Sequence, residues 1–150
     1  MFGFLKTNHE ARRDEVQAEF VARVAAAAQE FVQAAGPDGV GLDYTPGSIH
    51  ALDAALEAAH VGALALTPMQ TVGAAAYLYE VARREHGGLY EVCDDEDPVV
   101  LVCGESGAQV CLAAIAKVER RIRYGQAEAI PPYFERFIAA LHAGEPLTLR

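Results

Sequence analysis

Apolar residues recur at steps of three and four positions along the first quarter of the chain. Between Glu10 and Ala35 they form one stripe, and charged residues take much of the remaining surface. The stripe consists of Val16, Phe20, Val24, Ala27 and Phe31. Such spacing is typical of one face of an α-helix. Gly36-Pro37 follows at once, and glycine is common just past a last helical turn. A helix is therefore predicted over 10–35.

Two further helices are predicted to begin at the same dipeptide. Thr45-Pro46 and Thr67-Pro68 each place a capping hydroxyl before a proline, whose missing N–H costs nothing in a first turn. The first of these helices runs from Pro46 to about His60 and the second from Pro68 to about His86. Gly87-Gly88 ends the second. The first is predicted to point Ile49, Leu52, Ala55 and Leu56 inward. The second carries Val72, Ala76, Tyr79 and Arg83 along one row.

The spacing of apolar residues is no longer helical after Gly88. Residues 89–93 and 99–103 are predicted to be strands joined by an acidic turn, and 108–112 a third short strand. Short links between successive strands favour an antiparallel meander. Helical spacing returns over 113–124 and 131–142, and the tail from Gly144 to Arg150 is predicted to be frayed. The expected fold is α+β: one domain over 1–150, with helices about 10–86, strands about 89–112 and helices about 113–142, the helical bundle packing on a small three-stranded antiparallel meander.

The net charge and the cysteine content of the chain limit the partners and the cellular compartment that can be expected. A formal net charge of −9 is repelled by phosphate backbones and by anionic lipid, so neither nucleic acid nor membrane is an expected partner. The first residues are too short an apolar run for a signal peptide. Cys93, Cys103 and Cys111 form an odd set without a Cys-x-x-Cys pair, so they are predicted to be buried, reduced thiols of a cytoplasmic protein.

The densest chemical feature is Glu80, which lies among apolar and aromatic neighbours on a predicted helix. Arg83 and Arg84 follow three and four residues on, the favourable order for a helical ion pair. A structural salt bridge is the favoured interpretation, and an acid, base or ligand role for Glu80 is the alternative. His86 is expected to stabilise the helix C-terminus rather than to pair with Cys93.

A second, mainly basic cluster lies on the predicted helix after the strands, at Lys117, Glu119, Arg120, Arg121 and Arg123. A solvated helix face is favoured, but if this helix faces Glu80, Arg83 and Arg84, the two groups would form a pocket for a phosphate or carboxylate. The acidic turn at 94–97 lacks the spacing of a calcium loop and is predicted to be a solvated hairpin tip. No zinc, Walker or dinucleotide motif occurs, so no cofactor and no dedicated metal site is expected. A site formed by converging cysteines and a histidine is the remaining metal hypothesis.

The segment Gly73-Ala-Ala-Ala-Tyr77-Leu-Tyr-Glu80, leading to Gly87-Gly88-Leu-Tyr90, resembles a family of uncharacterised bacterial domains of unknown function. In those domains a Gly-x-x-x-aromatic helix carries a glutamate and runs into Gly-Gly-x-Trp. Tyr79 replaces the glycine usual before the glutamate, and Tyr90 stands in place of the tryptophan. The resemblance extends over roughly 42–140, and it implies that Glu80 and Gly87-Gly88 belong to a shared framework, with no activity attached.

The leading functional hypothesis is a non-catalytic cytosolic interaction or regulatory domain that binds a protein partner or a second copy of itself. Tyrosines expected to be exposed favour a protein surface: Tyr44, Tyr90, Tyr124 and Tyr133. The alternative is a domain or enzyme that binds a small anionic molecule near Glu80, Arg83, Arg84 and Arg120.

Overall fold

The computed structural model describes residues 7–150. Its helices are α1 (Asn8–Ala35), α2 (Ile49–His60), α3 (Pro68–His86), α4 (Ile115–Tyr124) and α5 (Ile130–Ala143). Its strands are β1 (Leu89–Val92), β2 (Val99–Cys103), β3 (Val110–Leu112) and β4 (Leu147–Leu149). Short 3₁₀ turns cover Gly36–Gly39, Pro46–Ser48 and Gly125–Glu128. The α+β prediction is confirmed, and no helix within residues 7–150 is long and apolar enough to cross a membrane.

The sheet has four strands in the order β1-β2-β3-β4, so the prediction of a three-stranded antiparallel meander is wrong in part. β1–β2 and β2–β3 are antiparallel as predicted, but β4 adds to β3 in parallel. The tail predicted to fray is this fourth strand. Leu149 lies opposite Leu112 and is buried, so apolar burial holds the tail in place, and α4 and α5 form the crossover that a parallel pair requires.

One face of the sheet packs against the helices. Tyr90, Leu101, Leu112 and Leu149 follow one another across the four strands and are all buried. They join the helical side chains in one hydrophobic core. The opposite face carries exposed side chains such as Glu91 and Thr148.

Helices α1 and α3 lie against each other and run antiparallel. Gly73, early in α3, packs on Ala27 and Phe31, whereas Tyr79, later in α3, lies near Phe20, which is earlier in α1. A Cβ added at Gly73 would lie 2.5 Å from the carbonyl oxygen of Ala27. The close approach of the two backbones therefore requires glycine at this position.

The helix starts differ from the predictions at two places. Thr67 caps α3 as predicted, with a reciprocal bond from Gln70, but Thr45 makes no cap. The Thr45 hydroxyl donates to Asp43 instead, a 3₁₀ turn follows, and α2 begins only at Ile49. Helix α4 begins at Ile115, two residues after its predicted start, because Asp97 in the β1–β2 turn caps it there. One carboxylate oxygen of Asp97 accepts hydrogen bonds from the N–H groups of Ile115 and Ala116, at 3.0 and 3.1 Å. Asp97 is buried, so the prediction of a wholly solvated tip is wrong at this residue.

Candidate functional site

Glu80 is fully buried in α3 and is held by three side chains. Arg83 donates two hydrogen bonds, from Nε at 2.8 Å and Nη2 at 3.0 Å, one to each carboxylate oxygen. Arg84 approaches one of those oxygens to 3.5 Å, and the hydroxyl of Tyr90 donates to the other at 3.0 Å. The predicted intrahelical ion pair is therefore present. Tyr90 was predicted to be exposed, but it is buried because it extends from β1 into the core to reach this carboxylate.

Burial alone would raise the pKa of Glu80, but the hydrogen bonds from Arg83 and Tyr90 and the two arginine charges outweigh it. The pKa of Glu80 therefore lies below its ordinary value. Burial raises the pKa of Tyr90, and the neighbouring negative charge of Glu80 raises it further. At neutral pH the pair is thus an ionised acceptor and a neutral donor, which is a stable structural arrangement. A general acid or base requires a pKa close to neutral pH, and neither group meets that requirement.

The Glu80 cluster continues to the loop before α2. The Arg84 guanidinium carbon lies 4.0 Å from the centre of the Tyr44 ring, which packs on Tyr77 at a centroid distance of 4.7 Å. The backbone N–H of Tyr44 donates to the hydroxyl oxygen of Tyr77 at 2.9 Å. The same hydroxyl lies 2.6 Å from the hydroxyl of Ser48. These contacts hold Tyr44, which is half-buried, at a φ of 64°, a conformation that is costly for a residue with a side chain.

The second basic cluster binds different carboxylates. Arg121 is fully buried, and it donates to Asp53 at 3.0 Å and pairs with Glu57 at 2.7 Å, both on α2. Asp53 also accepts the N–H of Ile130 at the start of α5, so this pair joins α2, α4 and α5. Lys117 and Arg120 both approach Glu128, at 2.7 and 3.5 Å.

The two predicted groups do not form one pocket. Arg83 and Arg84 pair with Glu80, which also binds Tyr90 of β1. Lys117 and Arg120 of α4 pair with Glu128, and Arg121 pairs with Asp53 of α2. Each of these five cations is already paired with a carboxylate of the same chain. A bound anion would have to displace those partners.

The cysteines do not form a metal site in the part of the chain that the structure describes, where no group of three or more potential ligands converges. Cys103 is buried, and burial raises the pKa of its thiol to about 11. Cys111 is half-buried and Cys93 is exposed, so the prediction of three buried thiols is wrong for Cys93. His86 is the last residue of α3, and its ring packs edge-on against Phe137. Burial lowers the pKa of His86, so the expected stabilisation of the helix C-terminus by its charged form stays a prediction.

An apolar groove lies between α1 and α3. It has a volume of about 250 Å³ and almost entirely apolar walls. From α1 it is lined by Phe20, Arg23, Val24 and Ala27, from α3 by Val72, Ala76 and Tyr79, and from the sheet and α4 by Val99 and Ile115. Below the groove, the Tyr79 hydroxyl donates to the Val99 carbonyl at 2.6 Å and accepts from the Ala114 N–H at 2.9 Å. The groove therefore has a rigid base.

A wider polar cleft continues the groove, because the two share Val72 and Ile115 as walls. The cleft has a volume of about 890 Å³ and lies between the β1–β2 turn and α4. Its charged and aromatic lining residues are Asp95, Glu96, Glu119, Arg120, Arg123 and Tyr124. Together the two form one surface that is apolar at one end and charged at the other.

Sequence reasoning missed this surface. The row Val72, Ala76, Tyr79 has the spacing of a core-facing stripe, yet Val72 is 38% exposed. Tyr124 is exposed as predicted, whereas Tyr133 is buried because its hydroxyl bonds the Ala113 carbonyl. The one available signal was the alanine at positions 27 and 76, since short side chains on neighbouring helix stripes leave the surface above them unfilled.

No protein-family model matches the chain, and neither the curated proteins nor the solved structures gave a match. The resemblance to uncharacterised bacterial domains thus remains an expectation. Gly88, part of that resemblance, has a structural reason here: its φ is 108°, and a Cβ would lie 2.6 Å from the sulfur of Cys103. Function must be inferred from the geometry of the chain itself.

Proposed function

We propose that this chain is a non-catalytic, cytoplasmic interaction domain that binds a protein partner through the groove between α1 and α3. The groove itself is the observation that carries the proposal. Of the eight large apolar side chains exposed among the described residues, Val72 and Tyr124 line the groove or the cleft. Met69 precedes Val72 by three residues on α3, and Val16 precedes Phe20 by four residues on α1. Clustered apolar exposure with a polar border is a feature of interaction surfaces.

The pairing of the buried charges supports a binding role over a catalytic one. Glu80 and Arg121 are each enclosed and bound by partners from the same chain. Such pairs stabilise packing between elements, and the one buried nitrogen that they leave without a hydrogen-bond partner among the described residues is Nη1 of Arg121. Three free thiols, one of them exposed, support the cytoplasmic assignment, because oxidising compartments favour disulfides.

Site-specific cross-linking in the source organism tests the proposal. A photo-reactive amino acid replaces Val72 in the groove, and in a control protein it replaces Val61, which is exposed at the end of α2. Cross-linked proteins are identified by mass spectrometry, and each is then purified and titrated against the wild type, Val72→Asp and Val61→Asp. We expect a partner that is specific to position 72 and whose affinity falls about tenfold or more in Val72→Asp alone.

Two results would contradict the proposal. Adducts that are equally abundant at positions 72 and 61 would show that the groove is not a specific interface. Equal affinity of the Val72→Asp and Val61→Asp variants for the purified partner would place the contact elsewhere. An adduct with a second copy of the chain would identify self-association as the use of the groove.

A further inference from the structure

We infer that the segment bound by the groove is an amphipathic helix of the partner, with apolar residues on one face and lysine or arginine at the end that reaches the cleft. The inference rests on the proposed function, and it adds the conformation and the charge of the bound segment.

The shape of the groove favours a helix. Its two long walls are helix stripes, since Phe20, Val24 and Ala27 follow one another at steps of four and three on α1, and Val72, Ala76 and Tyr79 do so on α3. The helices run antiparallel, and Ala27 and Ala76 line the groove with short side chains that do not fill it. A third helix packs its own ridge of side chains into such a groove. Partner residues spaced i, i+3 or i+4, and i+7 would then contact the groove along its length.

The charges of the cleft favour a basic segment. Three carboxylates line it, those of Asp95, Glu96 and Glu119, and within residues 7–150 none of the three side chains has a hydrogen-bond or ion-pair partner. Of the two arginines, Arg120 is already paired with Glu128. Arg123 contributes the one unpaired positive charge, and its guanidinium carbon lies 5.9 Å from the Tyr124 ring centre.

The unpaired carboxylates thus outnumber the unpaired arginine by two, and the whole chain carries −9. Opposite charge on a partner increases the association rate and selects among binding orientations. The apolar groove has a single charged lining residue, Arg23, which does not line the cleft. The basic residues of the partner are therefore expected at the cleft end of the bound helix and not along its whole length.

A designed peptide tests both properties without knowledge of the natural partner. The probe is a fluorescent peptide of about 18 residues, long enough to form a helix on binding. It carries leucine at i, i+3, i+4 and i+7 and lysines at one end. One comparison peptide has glutamates in place of the lysines, and another has a central proline that breaks the helix. Binding is followed by fluorescence anisotropy, and helix formation by circular dichroism.

Two charge-reversal variants separate local from global electrostatics. Asp95→Lys with Glu96→Lys alters the cleft, and Asp38→Lys with Glu105→Lys alters exposed acids outside it. Each pair replaces two negative charges by two positive ones and changes the formal net charge from −9 to −5. We expect the cleft variant to weaken the lysine peptide about three- to tenfold at low salt and to bind the glutamate peptide more tightly than the wild type does, with a smaller effect from the control pair.

The inference is overturned if the lysine peptide does not bind, if the proline peptide binds equally well, or if both charge reversals weaken binding by the same factor. In each of those cases a partner that is cross-linked specifically at position 72, and whose affinity falls in Val72→Asp but not in Val61→Asp, would still support the groove as an interface. Loss of that cross-link specificity is the separate result that contradicts the proposed function.

Discussion

Asp97 is the residue whose removal should have the clearest effect on the fold. Its side chain leaves the β1–β2 turn and accepts the first two free N–H groups of α4, from Ile115 and Ala116. A negative charge at a helix N-terminus also interacts favourably with the helix dipole. The cap therefore joins the hairpin to α4, and α4 carries the Arg121 contact to α2.

The magnitude of the Asp97→Ala effect follows from what the substitution leaves unpaired. Loss of a helix cap costs about 0.5–2 kcal/mol. Here Ile115 is nearly buried, so its N–H loses the carboxylate with little water to replace it, which adds about 1 kcal/mol. We expect the free energy of unfolding to fall by about 1.5–3 kcal/mol, which is a change of about 10- to 150-fold in the unfolding constant. Asp97→Asn keeps an oxygen acceptor and should cost less.

Urea unfolding followed by circular dichroism measures the effect. Asp95→Ala provides the matched control, because Asp95 lies in the same turn, is exposed and has no side-chain partner among residues 7–150. Its substitution should change the free energy of unfolding by less than about 0.5 kcal/mol. The reasoning is refuted if Asp97→Ala is no more destabilising than Asp95→Ala, or if the Asn variant is as unstable as the Ala variant.

Two further substitutions test the contacts of α3. Glu80→Gln should lower the free energy of unfolding by about 1–3 kcal/mol near neutral pH, because it leaves Arg83 with a weaker acceptor. The folded-state pKa of Glu80 lies below its unfolded value. Its charge therefore stabilises the fold above the unfolded value and stops doing so as the pH falls through the folded-state pKa. The urea midpoints of the wild type and the Glu80→Gln variant should accordingly converge as the pH falls through that range. A difference that stays constant with pH would contradict this. Gly73→Ala should lower the free energy of unfolding by about 1–3 kcal/mol, because the added Cβ would clash with the carbonyl oxygen of Ala27. Gly47→Ala should be nearly neutral in the same assay, because its added Cβ would lie 4.0 Å from the nearest atom, Oγ1 of Thr45.

Local signals in the sequence were enough to predict the helices and the first three strands. Thr67-Pro68 and Gly87-Gly88 mark the two ends of α3 because capping and a positive φ are properties of a few neighbouring residues. The pair of Glu80 with Arg83 was predictable for the same reason, since residues three apart on a helix are neighbours.

Contacts between distant positions were not predictable in this way. Gln17 in α1 illustrates the point: its side-chain amide accepts from the N–H of Tyr90 at 3.1 Å and donates to the Tyr90 carbonyl at 2.7 Å, so it pairs with the edge strand β1 much as a neighbouring strand would. Arg121 likewise finds Asp53, which lies 68 positions earlier in the chain. Neither contact could be read from the sequence, because a single polar residue forms no periodic pattern and its partner depends on how the chain folds.

The sequence by itself determined the element types, the acidic surface and the Glu80 ion pair, all of which depend on composition or on spacing within a few residues. Only the tertiary structure decided that the tail is a parallel strand, that Asp97 caps α4 and that the two basic groups bind different carboxylates. It also decided that stripes on α1 and α3 leave a groove between them. The physical reason is that burial and pairing are properties of surfaces brought together by folding, and an apolar stripe looks the same in sequence whether a neighbouring element covers it or leaves part of it open.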